Sequence, residues 1–182
     1  DHAQIVQSIH LSALIDAGAG NDNISGGGGA NILIGGDGDD MLIGGNGRDV
    51  MIGGYGADRL VGKSSDDLLV AGYTAFDGDY AALNLIMKEW NSAASYGTRV
   101  THLRGTTSGG LNGSIYLKGD DVSGGVGDQT VFDDGAVDRL TGSSGVDWFL
   151  ANIVVDGSGK VLDQITDLSS GESQNDMDED TL

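Results

Sequence analysis

The sequence predicts an all-β chain: a parallel β-roll, or solenoid, of nonapeptide repeats with a helical insertion and a C-terminal capping hairpin. Three observations predict it. A nine-residue repeat runs in unbroken phase from Ala17 to Val70, the period breaks at residue 71, and a weaker form of it returns at residue 115.

After a lead-in strand or cap at 1–16, the first block (17–70) reads AGAGNDNIS, GGGGANILI, GGDGDDMLI, GGNGRDVMI, GGYGADRLV and GKSSDDLLV. The sixth position of each unit is Asp22, Asn31, Asp40, Asp49, Asp58 and Asp67, and the eighth is Ile24, Leu33, Leu42, Met51, Leu60 and Leu69. One column is nearly all carboxylate, the other all aliphatic. Three residues around an aliphatic centre are too few for a helix and fit a brief strand with that side chain turned inward. The Gly-rich half needs backbone that only glycine adopts freely, so it is a turn. Two units then make one coil, and units eighteen residues apart lie above one another at about 4.8 Å.

Residues 71–114 leave the period. Leu83, Ile86, Met87 and Trp90 recur at helical spacing behind an Asp79 cap, and Tyr96, Val100 and Leu103 repeat the pattern up to Gly105. This predicts a helical hairpin or bent helix, then a Gly/Ser/Thr loop. A second, degenerate block (115–150) reads IYLKGDDVS, GGVGDQTVF, DDGAVDRLT and GSSGVDWFL, with Asp120, Gln129, Asp138 and Asp147 sixth. A short hairpin around Asp156-Gly157 is expected to cap the roll at 151–168, and 169–182 reads as an acidic, mobile tail.

Composition bears on what such a chain can do. Of its 182 residues 33 are Gly, only 5% are aromatic, and the net charge is −19. A thin core and strong self-repulsion describe a chain that needs a cationic partner to fold. Nucleic acid and anionic membrane are poor partners for so acidic a chain and none is expected, and no apolar run is long enough for membrane insertion. Without Cys there is neither a disulfide framework nor a thiolate metal site. The chain opens on Asp1 rather than Met and is read as a segment of a larger parent polypeptide. No basic-plus-apolar signal peptide is apparent at its start.

Stacked sixth-position carboxylates repel unless a cation lies between them. The donors on offer are carboxylates and carbonyls in pliant turns, which suits Ca²⁺ better than Mg²⁺. Zinc and copper would want His or Cys, and His2, His10 and His102 do not cluster near the repeats.

The pattern G-G-x-G-x-D-x-U-x resembles the repeats-in-toxin, or haemolysin-type calcium-binding, family. That resemblance implies a β-roll in which Ca²⁺ is held by carbonyls at positions two and four and the Asp at six of one unit, with carbonyls at one and three and the Asp of the unit above. About four ions in the first block are implied. One site would use Gly18, Gly20 and Asp22 with Gly35, Asp37 and Asp40; another Gly36, Gly38 and Asp40 with Gly53, Tyr55 and Asp58. On the opposite side, Gly27, Gly29 and Asn31 would meet Gly44, Asn46 and Asp49, and Gly45, Gly47 and Asp49 would meet Gly62, Ser64 and Asp67. Asn31 carries no charge, so its site is expected to bind more weakly. In the second block Asp120 would pair with Asp138 and the Gly135 carbonyl, and Gln129 would face Asp147 with Gly125, Gly127, Gly142 and Ser144. The succession of helical segment, DDGAVDRLTGSSGVDWFLAN and short hairpin also resembles C-terminal regions of very large secreted or surface proteins of planctomycete-type bacteria.

Other motifs dissolve on inspection. GKSS at 62–65 lacks the leading Gly of a phosphate loop, no G-x-G-x-x-G closes, and EF-hand spacing fails at Met41. Neither G-x-S-x-G nor H-E-x-x-H occurs, so the chain is not expected to be an enzyme. The function expected is a calcium-binding module that folds on its ion, secreted or at the cell surface. The alternatives are a calcium-stabilised secretion or folding domain of an exported enzyme, such as a protease, lipase or polysaccharide-acting protein, and an adhesive surface module with a protein or glycan partner.

Overall fold

A computed structural model describes residues 2–4, 11–119, 128–153 and 163–175. The strands along the first block are β1 (His2–Gln4), β2 (Leu14–Ala19), β3 (Asn23–Ser25), β4 (Ile32–Asp37), β5 (Met41–Gly45), β6 (Val50–Tyr55), β7 (Arg59–Ser64), β8 (Leu68–Val70) and β9 (Tyr73–Thr74). Two helices follow, α1 (Tyr80–Trp90) and α2 (Tyr96–Leu103), and then β10 (Val131–Phe132), β11 (Arg139–Ser144), β12 (Trp148–Leu150), β13 (Gln164–Ile165) and β14 (Ser173–Asn175).

Successive strands alternate between two parallel sheets. One has the order β1-β3-β5-β7-β11-β13, the other β14-β12-β8-β6-β4-β2, with β9 and β10 forming a small antiparallel pair. In the first block partners lie eighteen residues apart, as in Asn23↔Met41 and Ile32↔Val50. Mostly strands in parallel sheets with few helices, the arrangement is consistent with a parallel β-roll. The two sheets turn their aliphatic centres toward each other: Ile24, Leu33, Leu42, Met51, Leu60, Leu69, Leu140 and Phe149 are all fully buried. Nearly every apolar side chain of the strand column is thereby withdrawn from water, which gives a Gly-rich chain the core it otherwise lacks.

The strands bend into the turns where glycine near their C-terminal ends takes positive φ. At Gly36 (φ 108°) and Gly54 (φ 106°) the backbone of one coil sits directly on the carbonyl of the coil below, and a Cβ on either residue would run into that carbonyl. Any side chain there would both strain the backbone and separate the coils.

The chain leaves the sheets after β8. Asp79 caps α1, accepting from the Ala81 and Ala82 amides, and α1 buries Leu83, Ile86 and Trp90, while α2 buries Val100 and Leu103. Residues 115–119 carry no strand: the Leu117 amide donates to the Leu103 carbonyl, so this segment leans on α2. The sheets resume with β11 directly on β7 (Arg139↔Arg59, Leu140↔Leu60) and β12 on β8 (Trp148↔Leu68). Units 133–150 therefore stack on the first block rather than on units 115–132.

The C-terminal stretch also differs from its expectation. β13 and β14 lie parallel on β11 and β12, so residues within 151–168 and 169–182 extend both sheets. The physical reason is the repeat itself: Asp163-Gln164-Ile165-Thr166 offers the same Asp, inward aliphatic and β-branched residue as Asp138-Arg139-Leu140-Thr141. The expected hairpin turn at Asp156-Gly157 and the acidic run 176–182 lie outside the described residues.

Candidate metal centre

Among the described residues, the sixth-position side chains Asp22, Asn31, Asp40, Asp49, Asp58, Asp67, Asp138 and Asp147 are buried, with exposures from 0 to 4%, while Gln129 is only half-buried. Burial of a carboxylate column is costly unless each oxygen finds a partner. Half of them do. The amide of Asp22 donates to Asp40 Oδ1 at 2.7 Å, Asn31 to Asp49 at 2.7 Å, Asp40 to Asp58 at 2.7 Å and Asp49 to Asp67 at 2.8 Å. The ladder continues upward without a break, Asp58 to Asp138 at 2.6 Å, Asp67 to Asp147 at 2.7 Å and Asp138 to Asp163 at 2.9 Å.

The second oxygens are different. Oδ2 of Asp40, Asp49, Asp58, Asp67, Asp138 and Asp147 is buried and accepts no hydrogen bond. Those of Asp40, Asp49, Asp58, Asp67 and Asp147 lie beside the first glycine of their own unit. A Cβ placed on Gly44 would lie 2.5 Å from Asp49 Oδ2 and 2.8 Å from the Gly62 carbonyl oxygen. A Cβ on Gly35 would collide with Asp40 Oδ2 and the Gly53 carbonyl, and one on Gly53 with Asp58 Oδ2 and the Ala71 carbonyl. The first glycine of the repeat thus leaves room where a carboxylate oxygen of one unit and a carbonyl oxygen of the unit above converge.

Such a cradle is all hard oxygen and net negative, which fits Ca²⁺. Among the described residues no three Asp, Glu, His or Cys side chains gather into a metal centre by themselves, so any ion here must draw on backbone carbonyls. The electrostatics agree. Burial pushes the carboxyls of Asp49, Asp58, Asp147 and Asp163 up to about 7, Asp138 up to about 9 and Asp67 up to about 10. Neighbouring carboxylates add to the effect of burial at Asp67, where Asp49, Asp147 and Asp66 all contribute. Asp40 is raised as well, burial again being the largest cause.

The structure brings Asp22 to Asp40 to Asp58 on one side and Asn31 to Asp49 to Asp67 on the other. Asn31 replaces the missing charge with hydrogen bonds, its Nδ2 donating to the Gly29 carbonyl at 2.7 Å and to Asp49 Oδ1 at 2.9 Å. In the first block, Gly18, Gly36 and Gly45 stand at the C-terminal ends of β2, β4 and β5, and Gly20, Gly27, Gly29, Gly38 and Gly47 lie between strands. The amides of Gly20 and Gly38 donate to the carbonyls of Asp37 and Tyr55, both at 2.7 Å. Those two carbonyls are thus shared with the coil below.

The second block is arranged differently from its expectation. Asp138 stands between Asp58 and Asp163, and Asp147 accepts from Asp67. Gln129 instead donates from Nε2 to the Val131 carbonyl, and Gly135, exposed with φ 84°, lies on a turn where Asp134 Oδ1 accepts from Ala136. Asp120, Gly125 and Gly127 lie outside the described residues. Sequence reasoning missed Asp163, and it missed that Asp58 and Asp67 continue across residues 71–132. A signal was present: ADRLVGKSSDDLLVA (57–71) and VDRLTGSSGVDWFLA (137–151) share Asp, Arg, Leu, Gly, Ser, Asp and Ala in the same places.

The family model of the RTX calcium-binding nonapeptide repeat matches residues 16–51 and 52–73, in four copies. No curated protein and no solved structure shows significant similarity to the chain.

Proposed function

The repeats at residues 16–51 and 52–73 belong to the RTX calcium-binding nonapeptide family, and on that premise we propose that the whole chain is a calcium-binding β-roll that folds on its ions. The observation that carries this reading is the column of buried Oδ2 atoms with no hydrogen bond, those of Asp40, Asp49, Asp58 and Asp67 each converging with a carbonyl of the neighbouring coil. Bound Ca²⁺ would supply the positive charge those oxygens lack. In the first block Asp22, Asp40 and Asp58 hold one file of ions and Asn31, Asp49 and Asp67 the other, about four in all, with carbonyls of the Gly-rich turns completing each shell.

The residues do two things in this scheme. Oδ1 of Asp40, Asp49, Asp58 and Asp67 locks the register of adjacent coils by accepting a backbone amide, and their Oδ2 is kept free of protein donors for the ion. Because the oxygens converge only when coils stack, binding free energy becomes folding free energy. The chain would stay loose where calcium is scarce and fold outside the cell, as part of a larger secreted or surface protein, with α1 and α2 as an insertion docked on the roll. No helix among the described residues is long and apolar enough to cross a membrane.

Elemental analysis of the purified chain, equilibrated in calcium and freed of excess ion, tests the proposal. Four or more calcium ions per chain are expected. None would overturn it.

A further inference from the structure

We propose that calcium also binds between two turns far apart in sequence, Gly62–Asp67 and Gly142–Asp147, and that this ion fastens the helix pair α1–α2 to the sheets. The inference rests on the calcium reading above but concerns a junction that the matched repeats do not span.

The cradle of the first block is reproduced here across the excursion. The Asp67 amide donates to Asp147 Oδ1 at 2.7 Å over 80 residues of chain, where the same bond within the first block spans 18. A Cβ on Gly62 would lie 2.8 Å from the Gly142 carbonyl oxygen and would collide with Asp67 Oδ2. Oδ2 of Asp67 and of Asp147 are both buried without a hydrogen bond. A carboxylate oxygen and a carbonyl oxygen from opposite ends of the excursion therefore converge on one small space, with a second carboxylate in the turn above.

The backbone is bent to make that space. Among the described residues, the only non-glycine positions with φ in the left-handed region are Lys63 (87°), Ser65 (75°) and Ser143 (77°), all in these two turns. L-residues resist this conformation and persist in it only where the surroundings over-determine them. The first turn takes positive φ at Lys63 and Ser65 where the repeat normally has glycine, and the second does so at Ser143 while keeping Gly145 (φ 141°).

The outer atoms of the same turns hold the helices. Asp66, adjacent to Asp67, pairs with the buried Arg99 of α2 and accepts from the Val146 amide at 3.0 Å, while its carbonyl accepts from Trp90 Nε1 at 2.9 Å. Arg99 lies over the Trp90 ring, 4.6 Å from its centroid. The Asp147 carbonyl accepts from the Tyr96 hydroxyl at 2.8 Å. Without a cation, the Oδ2 atoms of Asp67 and Asp147 and the Gly142 carbonyl oxygen crowd a buried space with nothing positive between them, which weakens the contact of the turns and with it the anchors of α1 and α2. Calcium holds the turns together and so makes docking of the helix pair depend on the ion.

The chain carries its own reporters, since its two tryptophans, Trp90 and Trp148, are both buried at this junction with ring centroids 6.1 Å apart. The test is calcium titration of the full chain in metal-free buffer, following tryptophan emission, far-ultraviolet circular dichroism and bound calcium. Asp147→Asn keeps an oxygen for the Asp67 amide and removes the charge; Gly62→Ala fills the cradle. Each variant is expected to bind one ion fewer than wild type, and the tryptophan midpoint is expected to move to roughly tenfold higher calcium. If Gly62→Ala fails to fold, Asp147→Asn still decides the matter. An Asp147→Asn chain that binds the full complement with an unshifted tryptophan midpoint overturns the junction site and leaves the calcium reading standing. A wild-type chain that takes up no calcium overturns both.

Discussion

Replacing Asp49 with Ala is expected to raise the calcium needed for folding by at least about tenfold, because Asp49 serves both coils that flank it. Its Oδ1 accepts from the Asn31 amide and from Asn31 Nδ2, and its Oδ2 faces the Gly62 carbonyl. Truncation strands a buried amide, a loss of about 1–3 kcal/mol, and removes a ligand from two proposed sites. Asp49→Asn separates the two contributions. It keeps an acceptor for the Asn31 amide but abolishes a buried charge that burial opposes. Without metal at pH 8, Asp49→Asn is therefore expected to melt higher than wild type, while its calcium midpoint still rises. A lower metal-free melting temperature with an unchanged calcium midpoint would mean that Asp49 is a packing residue and not a ligand.

The second large effect is an inversion of pH dependence by calcium. In the metal-free fold Asp49, Asp58, Asp147 and Asp163 are raised to about 7, Asp138 to about 9 and Asp67 to about 10. In the unfolded chain they titrate near 4. Between those values the folded chain binds more protons than the unfolded one, so metal-free stability falls as pH rises from about 4 through 7 and on toward 10. Calcium requires the deprotonated carboxylates, so stability of the loaded chain rises or holds over the same range. Melting temperatures from pH 5 to 8, in resin-treated buffer and in calcium, are expected to slope in opposite directions. Parallel slopes would show that the column does not bind the ion.

The two columns were legible because nine-residue phase alone assigns them. Ile24, Leu42 and Leu60 must face inward if Asp22, Asp40 and Asp58 share a ladder, and both sets are buried as that requires. The stacking of Asp138 on Asp58 was not legible from phase. Phase is a local property: it links Asp120 to Asp138, eighteen residues on, and says nothing of Asp58, 80 residues away across the excursion. What decides between them is tertiary: the Leu117 amide is already committed to the Leu103 carbonyl, and β7 and β8 present open edges that β11 and β12 complete. The role of Asp66 was hidden for a similar reason. At the fifth position of a repeat it reads as a solvated filler, and only the return of Arg99 and Trp90 from 33 and 24 residues away gives it partners.

The most direct test compares thermal unfolding of the full chain with and without calcium at pH 7.5, followed by far-ultraviolet circular dichroism. A calcium-free chain with a weaker β signal and a broad melt at low temperature, converted by calcium to a fuller β spectrum with a sharp melt at much higher temperature, is the predicted result. Superimposable melting curves in calcium and in chelator would contradict the account.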